Sequence, residues 1–186
     1  MNKLTLLAML GAVAASLIAA TAFATGGWNT TDANALVERG RYLVNTSGCN
    51  DCHTPWKMGP HGPGPDLDRL LSGHPEGFQL GPVPKVDPDW PVRTTSTMTA
   101  WTGPWGVSFA SNLTPDPETG LGRWTTEDFI RTIRNARHQG SGRPLLPPMP
   151  AEVYANMTDD DLRAIHAYLK SIPPMVNRVP APLPPQ

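Results

Sequence analysis

Cys49-Asn50-Asp51-Cys52-His53 constrains this chain more than any other stretch. Two thiols three residues apart, followed at once by a histidine, form the attachment signature of c-type haem. The thiols can add to the two vinyl groups of one porphyrin, and the histidine is then held against the iron as its proximal ligand. Other uses of these residues fit less well. A thioredoxin-like redox pair needs a βαβ setting, and no such pattern surrounds the pentapeptide. A structural zinc site takes four ligands, and the chain has only 2 cysteines. A plain disulfide leaves the position of His53 unexplained.

The amino terminus points to the compartment. Met1-Asn2-Lys3 precedes an apolar run from Leu4 to Ala20 and then Ala22-Phe23-Ala24, a small-x-small cleavage site. This pattern predicts a signal peptide over residues 1–24 and a mature domain over 25–186 that starts at Thr25. An uncleaved anchor is the alternative, because about 17 apolar residues approach the lower limit for a membrane span. Export to the bacterial periplasm suits the haem, which is attached outside the cytoplasm. With 15 basic and 16 acidic residues the net charge is −1, which offers no basic field for nucleic acid. The 22 prolines and 17 glycines predict long loops between the helices.

Three helices are legible. Thr31-Asp32 offers a cap for the first, whose apolar arc holds Ala33, Leu36, Val37, Gly40, Leu43 and Val44. Gly40 lies in the middle of that arc, where a glycine costs about 1 kcal/mol and is repaid if another backbone comes close. Thr125 with Asp128 three positions later resembles a capping box, and Phe129, Ile133 and Ala136 share one face of the helix that follows. Thr158-Asp159-Asp160-Asp161 caps the last helix, with acidic residues where the macrodipole favours them. Leu162, Ile165, Tyr168, Leu169 and Ile172 form its apolar arc, and Pro173-Pro174 ends it.

Residues 54–111 show no sustained period. Prolines punctuate them, and Trp56, Trp90, Trp101 and Trp105 are scattered between. Such a stretch is too aromatic for a linker. It predicts a long ordered insertion, with room for a short hairpin, whose tryptophans pack on the haem or the helices. The 174–186 tail is proline-rich and predicts an extended, loosely held segment.

An iron with His53 on one face needs a second axial ligand. The candidates are Met58, Met98, Met149, Met157 and Met175, with His61, His74, His138 and His166 as rivals. Met157 precedes a helix cap, where an apolar staple is the ordinary role, and His138 and His166 read as surface residues. Met149 stands apart because prolines on both sides fix an extended backbone between two helices. His74, in Leu71-Ser72-Gly73-His74-Pro75, is the runner-up.

The sequence resembles the class I cytochrome c family. The resemblance lies in Arg39-Gly40-Arg41-Tyr42-Leu43 ahead of the pentapeptide, in Pro148-Met149-Pro150, and in the run from Thr158 to Pro173. More narrowly, Asn112-Leu-Thr-Pro-Asp-Pro-Glu-Thr-Gly-Leu-Gly-Arg-Trp-Thr125 is similar to haem modules in cytochrome subunits of bacterial membrane-linked alcohol and sugar-acid dehydrogenases. Those subunits carry several haems. This sequence holds one Cys-x-x-Cys-His, so the resemblance implies a single-haem relative. It also implies attachment at Cys49 and Cys52, His53 as proximal ligand, Met149 as distal ligand, and a crossing of the first and last helices at Gly40 and Tyr168. The expected fold is all-α, a class I cytochrome c around one covalent haem c, with a loop-rich insertion.

The expected role is that of an electron carrier rather than an enzyme. It would pass one electron at a time outside the cytoplasm, with a dehydrogenase, a quinol-oxidising complex or a terminal oxidase as redox partner. A membrane enters only through those partners or an uncleaved signal segment. The alternatives are a five-coordinate haem enzyme or gas or redox sensor, and a haem-free thiol or metal module. Lysine is scarce after the leader, so Arg131, Arg134, Arg137 and Arg143 are the basic feature. They form either a solvated helix face or a patch for an acidic partner.

Overall fold

Helix α1, Thr30–Thr46, and helix α5, Asp159–Ser171, cross where α1 has no side chain. A Cβ on Gly40 would lie 1.9 Å from the Ala164 carbonyl oxygen and 2.8 Å from Tyr168 Cβ. The expected close approach and its partner Tyr168 are therefore both present. The computed structural model describes residues 30–185, so the predicted 1–24 leader lies outside the described residues. From Ala35 onward the chain packs as one unit. Before that point the described residues form only the opening turn of α1, which carries Asp32.

Short helix α2, Cys49–His53, follows α1 directly, and the left-handed Gly48 (φ 76°) turns the chain between them. Helix α3, Thr126–Asn135, starts at the predicted box: Thr125 accepts from the Asp128 amide, and the Asp128 carboxylate accepts from the Thr125 amide. A single turn, α4, covers Ala151–Tyr154. Thr158 caps α5 by accepting from the Asp161 amide at 3.1 Å. The main core gathers Leu43 and Val44 of α1, Phe129 and Ile133 of α3, and Leu162, Ile165 and Leu169 of α5. Ion pairs Arg39–Asp161 (2.9 Å) and Arg134–Asp159 (2.6 Å) tie α1 and α3 to α5 at its polar edge.

The all-α expectation is overturned between these helices. Residues 56–109 carry five strands in two antiparallel sheets, and the described residues are 34% helical and 14% strand. The first sheet is a hairpin of β1, Trp56–Gly59, with β2, Gly62–Pro65. The second joins β3, Arg93–Thr94, to β4, Ala100–Gly103, and β4 to β5, Gly106–Phe109. Both hairpins close on the same Gly-Pro-x-Gly pattern. Gly59-Pro60-His61-Gly62 and Gly103-Pro104-Trp105-Gly106 each place proline second and glycine fourth, the composition favoured by a tight type I turn. The closing glycines have φ of 104° and 96°, a region open to glycine at no steric cost. Proline at these corners breaks a helix but not a hairpin, because its missing N–H lies outside the ladder.

The tail is extended, as expected, but it is firmly held. The Val107 and Leu183 backbones exchange two hydrogen bonds of 2.9 Å, which adds the tail to the free edge of β5. Asn177, 1% exposed, uses both ends of its amide. It donates to the Ser72 and His74 carbonyls and accepts from Arg69 and the Glu76 amide, all within 2.7–3.0 Å. Such a buried amide resists release because each lost bond leaves a buried partner unsatisfied.

Candidate haem site

Helices, sheet, strap and tail together enclose a cavity of about 400 Å³, within the roughly 300–1,000 Å³ range of cofactor sites. Its walls are largely apolar: Val44 from α1, Phe129 and Ile133 from α3, Leu162, Ile165 and Leu169 from α5. Cys49, Cys52 and His53 of α2 line it together, and so does Met149 from the strap between α3 and α4.

His53 is held from behind. Its Nδ1 lies 2.8 Å from the Ser111 carbonyl oxygen. A carbonyl only accepts, so Nδ1 carries the proton and the lone pair is on Nε2, the arrangement typical of a metal-ligating histidine. Burial lowers the pKa of the ring below the usual histidine value, and the Ser111 carbonyl works against that shift without cancelling it. The residues behind α2 are pinned as well. The His53 carbonyl accepts from the Gly73 amide at 2.8 Å, and the buried Thr54 hydroxyl accepts from the Leu71 amide at 3.0 Å.

Both cysteines are free thiols. Burial pushes Cys49 up to about 11, and it raises Cys52 as well, with the Asp51 carboxylate adding to the effect. A thioredoxin-type pair depends on a lowered thiol pKa, so this environment speaks against thiol redox chemistry. Among the described residues no group of three or more His, Cys, Asp or Glu is arranged to hold an ion.

The rivals for the second axial position separate by place. Met58 is 77% exposed on the first hairpin, and neither Met98 nor Met175 reaches the cavity. His74, the runner-up, is fully buried but away from the cavity, its ring 4.9 Å from that of Phe109 and its Nδ1 2.9 Å from Thr99 Oγ1. His166 is 4% exposed rather than a surface residue, and it is bonded to Thr126 between α5 and the start of α3. His138 also departs from the surface reading, because it lines the cavity with its ring against Trp124. Met149, Met157 and His138 are thus the candidates that the fold brings to His53.

A porphyrin carries two carboxylates as well as an apolar face, and the cavity wall offers cations for them. Arg143 lies beside the strap, and Arg178 comes from the tail. Sequence reasoning missed Arg178 because nothing local in Met175-Val176-Asn177-Arg178 marks it. It arrives through the Asn177 anchor and through its own amide, bonded to Glu76 at 3.0 Å. Of the four tryptophans in 54–111, only Trp101 lines the cavity; Trp90 is 73% exposed. The arginine face of α3 is partly spoken for. Arg134 donates to the Ala155 and Met157 carbonyls and pairs with Asp159, whereas Arg131 pairs with Asp128 on the surface.

Among the described residues no helix is long and apolar enough to cross a membrane. The family model for cytochrome c matches residues 37–173. A nicotinate dehydrogenase subunit of Pseudomonas putida is 30% identical over 156 residues, covering 84% of this chain and 10% of that protein. The cytochrome c subunit of the quinone alcohol dehydrogenase of Gluconobacter oxydans is 28% identical over 155 residues, 83% of this chain and 25% of that one. The gluconate 2-dehydrogenase cytochrome c subunit of Pantoea cypripedii is 29% identical over 135 residues, 73% and 23%. The chain therefore spans a tenth to a quarter of the length of these curated relatives. With its cysteine pair and histidine in the wall of an apolar cavity, and with a family match reaching from α1 past α5, the chain belongs to the cytochrome c family, whose members carry covalent haem c and transfer electrons.

Proposed function

We propose that this protein is an exported, single-haem electron carrier serving a dehydrogenase or quinol-oxidising complex and passing electrons to a terminal acceptor. Haem c bound in the cavity supplies a one-electron couple between ferrous and ferric iron. Cys49 and Cys52 would hold it by thioethers, with His53, through Nε2, and Met149 as the residues that would bind its iron. The hydrogen bond from His53 Nδ1 to the Ser111 carbonyl carries this reading, because it orients the ring and leaves Nε2 available to a metal in the same cavity. Apolar walls disfavour the more charged ferric form and raise the potential. With His53 and Met149 both engaged, no position would be left for a substrate, and the group would supply outer-sphere electron transfer.

The relatives' names support the partner, and the leader supports the compartment. The three relatives above are named as dehydrogenase subunits, two of them as cytochrome c subunits. This sequence contains one Cys-x-x-Cys-His, so it is read as a single haem module over residues 25–186 that receives electrons from such a complex. A pyridine haemochrome spectrum with mass spectrometry tests the proposal. One haem per chain and a mature amino terminus at Thr25 are expected. Absence of the haemochrome overturns it, and rapid binding of cyanide by the oxidised protein or of carbon monoxide by the reduced one points instead to a five-coordinate haem enzyme or sensor.

A further inference from the structure

The strap that carries Met149 has few means of fastening itself. Pro147, Pro148 and Pro150 have no N–H to donate, and the Met149 amide turns inward to the Leu146 carbonyl at 3.3 Å. The strap is tied at its near end, where the Leu145 amide meets the Ala136 carbonyl at 2.8 Å. Beyond that, and apart from the local bond where α4 begins, in which the Ala151 amide donates to the Met149 carbonyl at 2.9 Å, one hydrogen bond among the described residues reaches positions 146–149 from another element. The Ser108 hydroxyl donates to the Pro147 carbonyl at 2.5 Å.

Ser108 is an unexpected residue at its position. It lies in β5 between Val107 and Phe109, 7% exposed, where an unpartnered hydroxyl would be costly. Its register partner across the ladder is Trp101, whose carbonyl is a distant alternative acceptor at 3.5 Å. Trp105 Nε1 donates to the same hydroxyl at 3.3 Å. That bond occupies a lone pair of the oxygen and directs its proton toward the strap. The β4–β5 hairpin thus presents both members of the clasp, Trp105 from its turn and Ser108 from β5. Ser108, Pro148 and Met149 line the same cavity.

We infer that Ser108 is a positioning residue for the distal iron ligand, and that the second sheet of the 54–111 region serves to hold the Met149 strap against the cavity through the Ser108–Pro147 bond. The inference rests on the reading of Met149 as that ligand. A sulfur on a strap with no other lateral tie gains freedom to leave when the clasp is cut, and an external ligand then competes more easily.

The test uses the holoprotein with imidazole as the competing ligand. Ser108→Ala is expected to keep its haem, to weaken the sulfur-to-iron charge-transfer band of the ferric form, to lower the reduction potential, and to bind imidazole about three- to tenfold more tightly, the worth of one hydrogen bond. Ser108→Thr, which keeps the hydroxyl, restores the band. Val107→Ala loosens the same strand without touching the strap, and it leaves the band and the imidazole affinity unchanged. Trp105→Phe shifts both in the direction of Ser108→Ala but by less, and it decides the matter if Ser108→Ala fails to fold. A native band and native imidazole affinity in Ser108→Ala, or in Trp105→Phe where that variant decides, overturns the inference. Equal shifts in Val107→Ala do so too. Met149→Ala is measured in parallel. If it keeps the band, the reading of Met149 fails; if it abolishes the band while Ser108→Ala does not alter it, the positioning role alone fails.

Discussion

The crossing of α1 with α5 and the seam between the tail and residues 72–76 both join parts of the chain more than 100 residues apart, yet they are built from opposite materials. At the crossing, the absent side chain of Gly40 lets helix backbone touch helix backbone, with Leu43, Val44, Leu162 and Leu169 buried around it. At the seam, one asparagine makes four hydrogen bonds, and the apolar patch beside it is small: Ala100, Val107 and Phe109, with Val83 and Val179 against them. The helical part is held by area and shape, which act without direction. The wrap is held by directional bonds whose loss leaves buried groups unsatisfied. The cavity draws His53 from the first kind of structure and Ser108 from the second.

The comparison breaks most severely at Gly40. A methyl there collides with the Ala164 carbonyl, which is backbone and cannot turn aside. Gly40→Val should cost about 4 kcal/mol or more, in the range reserved for steric clashes in a core, and should be read as loss of folded, haem-loaded protein by thermal melting. Should Gly40→Val melt within a few degrees of the parent, the crossing is not the keystone of the helical part.

The seam should be next. Asn177→Ala removes four hydrogen bonds and leaves the Ser72 and His74 carbonyls without that donor. A loss of about 3 kcal/mol is expected, since each orphaned buried group costs about 1–3 kcal/mol and partial relaxation recovers some of it. Denaturant melts report the size. Hydrogen exchange should show the damage concentrated at residues 72–76 and 175–183, with α1 and α5 protected. A uniform loss of protection would mean that wrap and helices are one cooperative unit.

These two positions also show how much the sequence could say. Gly40 was legible because an apolar arc has a period, and a glycine inside it is a visible exception. The two capping motifs at Thr125 and Thr158 were legible for the same local reason. The spacing of Cys49, Cys52 and His53 was enough to bring them forward as candidates, and all three line the cavity. The sheets had a local signal too, the repeated Gly-Pro-x-Gly at 59–62 and 103–106, but its strands are four residues long and too short to show an alternating period. Asn177, Arg178 and Ser108 had none. Their partners lie 105, 102 and 39 residues away, and a single polar residue carries no mark of which distant carbonyl or carboxylate it will meet.

Two histidines sharpen the comparison, because each region buries one in the same manner. His166 in the helical part and His74 in the wrap each bond a threonine hydroxyl through Nδ1, and each has a buried Nε2 without a partner. Burial pushes both down to about 4, against an ordinary value of about 6.5. A base whose folded pKa is depressed takes up its proton more readily when unfolded. Stability should therefore be complete above pH 6.5 and should fall as the pH drops from there toward 4. Each histidine contributes at most about 1.4 kcal/mol per pH unit in that window, or about 2 kcal/mol by pH 5. His166→Gln and His74→Gln should each flatten the slope of stability against pH by one proton, whatever they do to stability at pH 8. Salt separates the two sites. His166 also feels Lys170, Glu127 and Asp128, whereas His74 is shifted by burial alone. Added salt screens charges at the surface and leaves desolvation untouched, so the His166 contribution to the slope should change with ionic strength and that of His74 should not. Equal salt responses would show that the two regions bury their histidines by the same physics, and that the contrast between area and hydrogen bonds does not extend to their electrostatics.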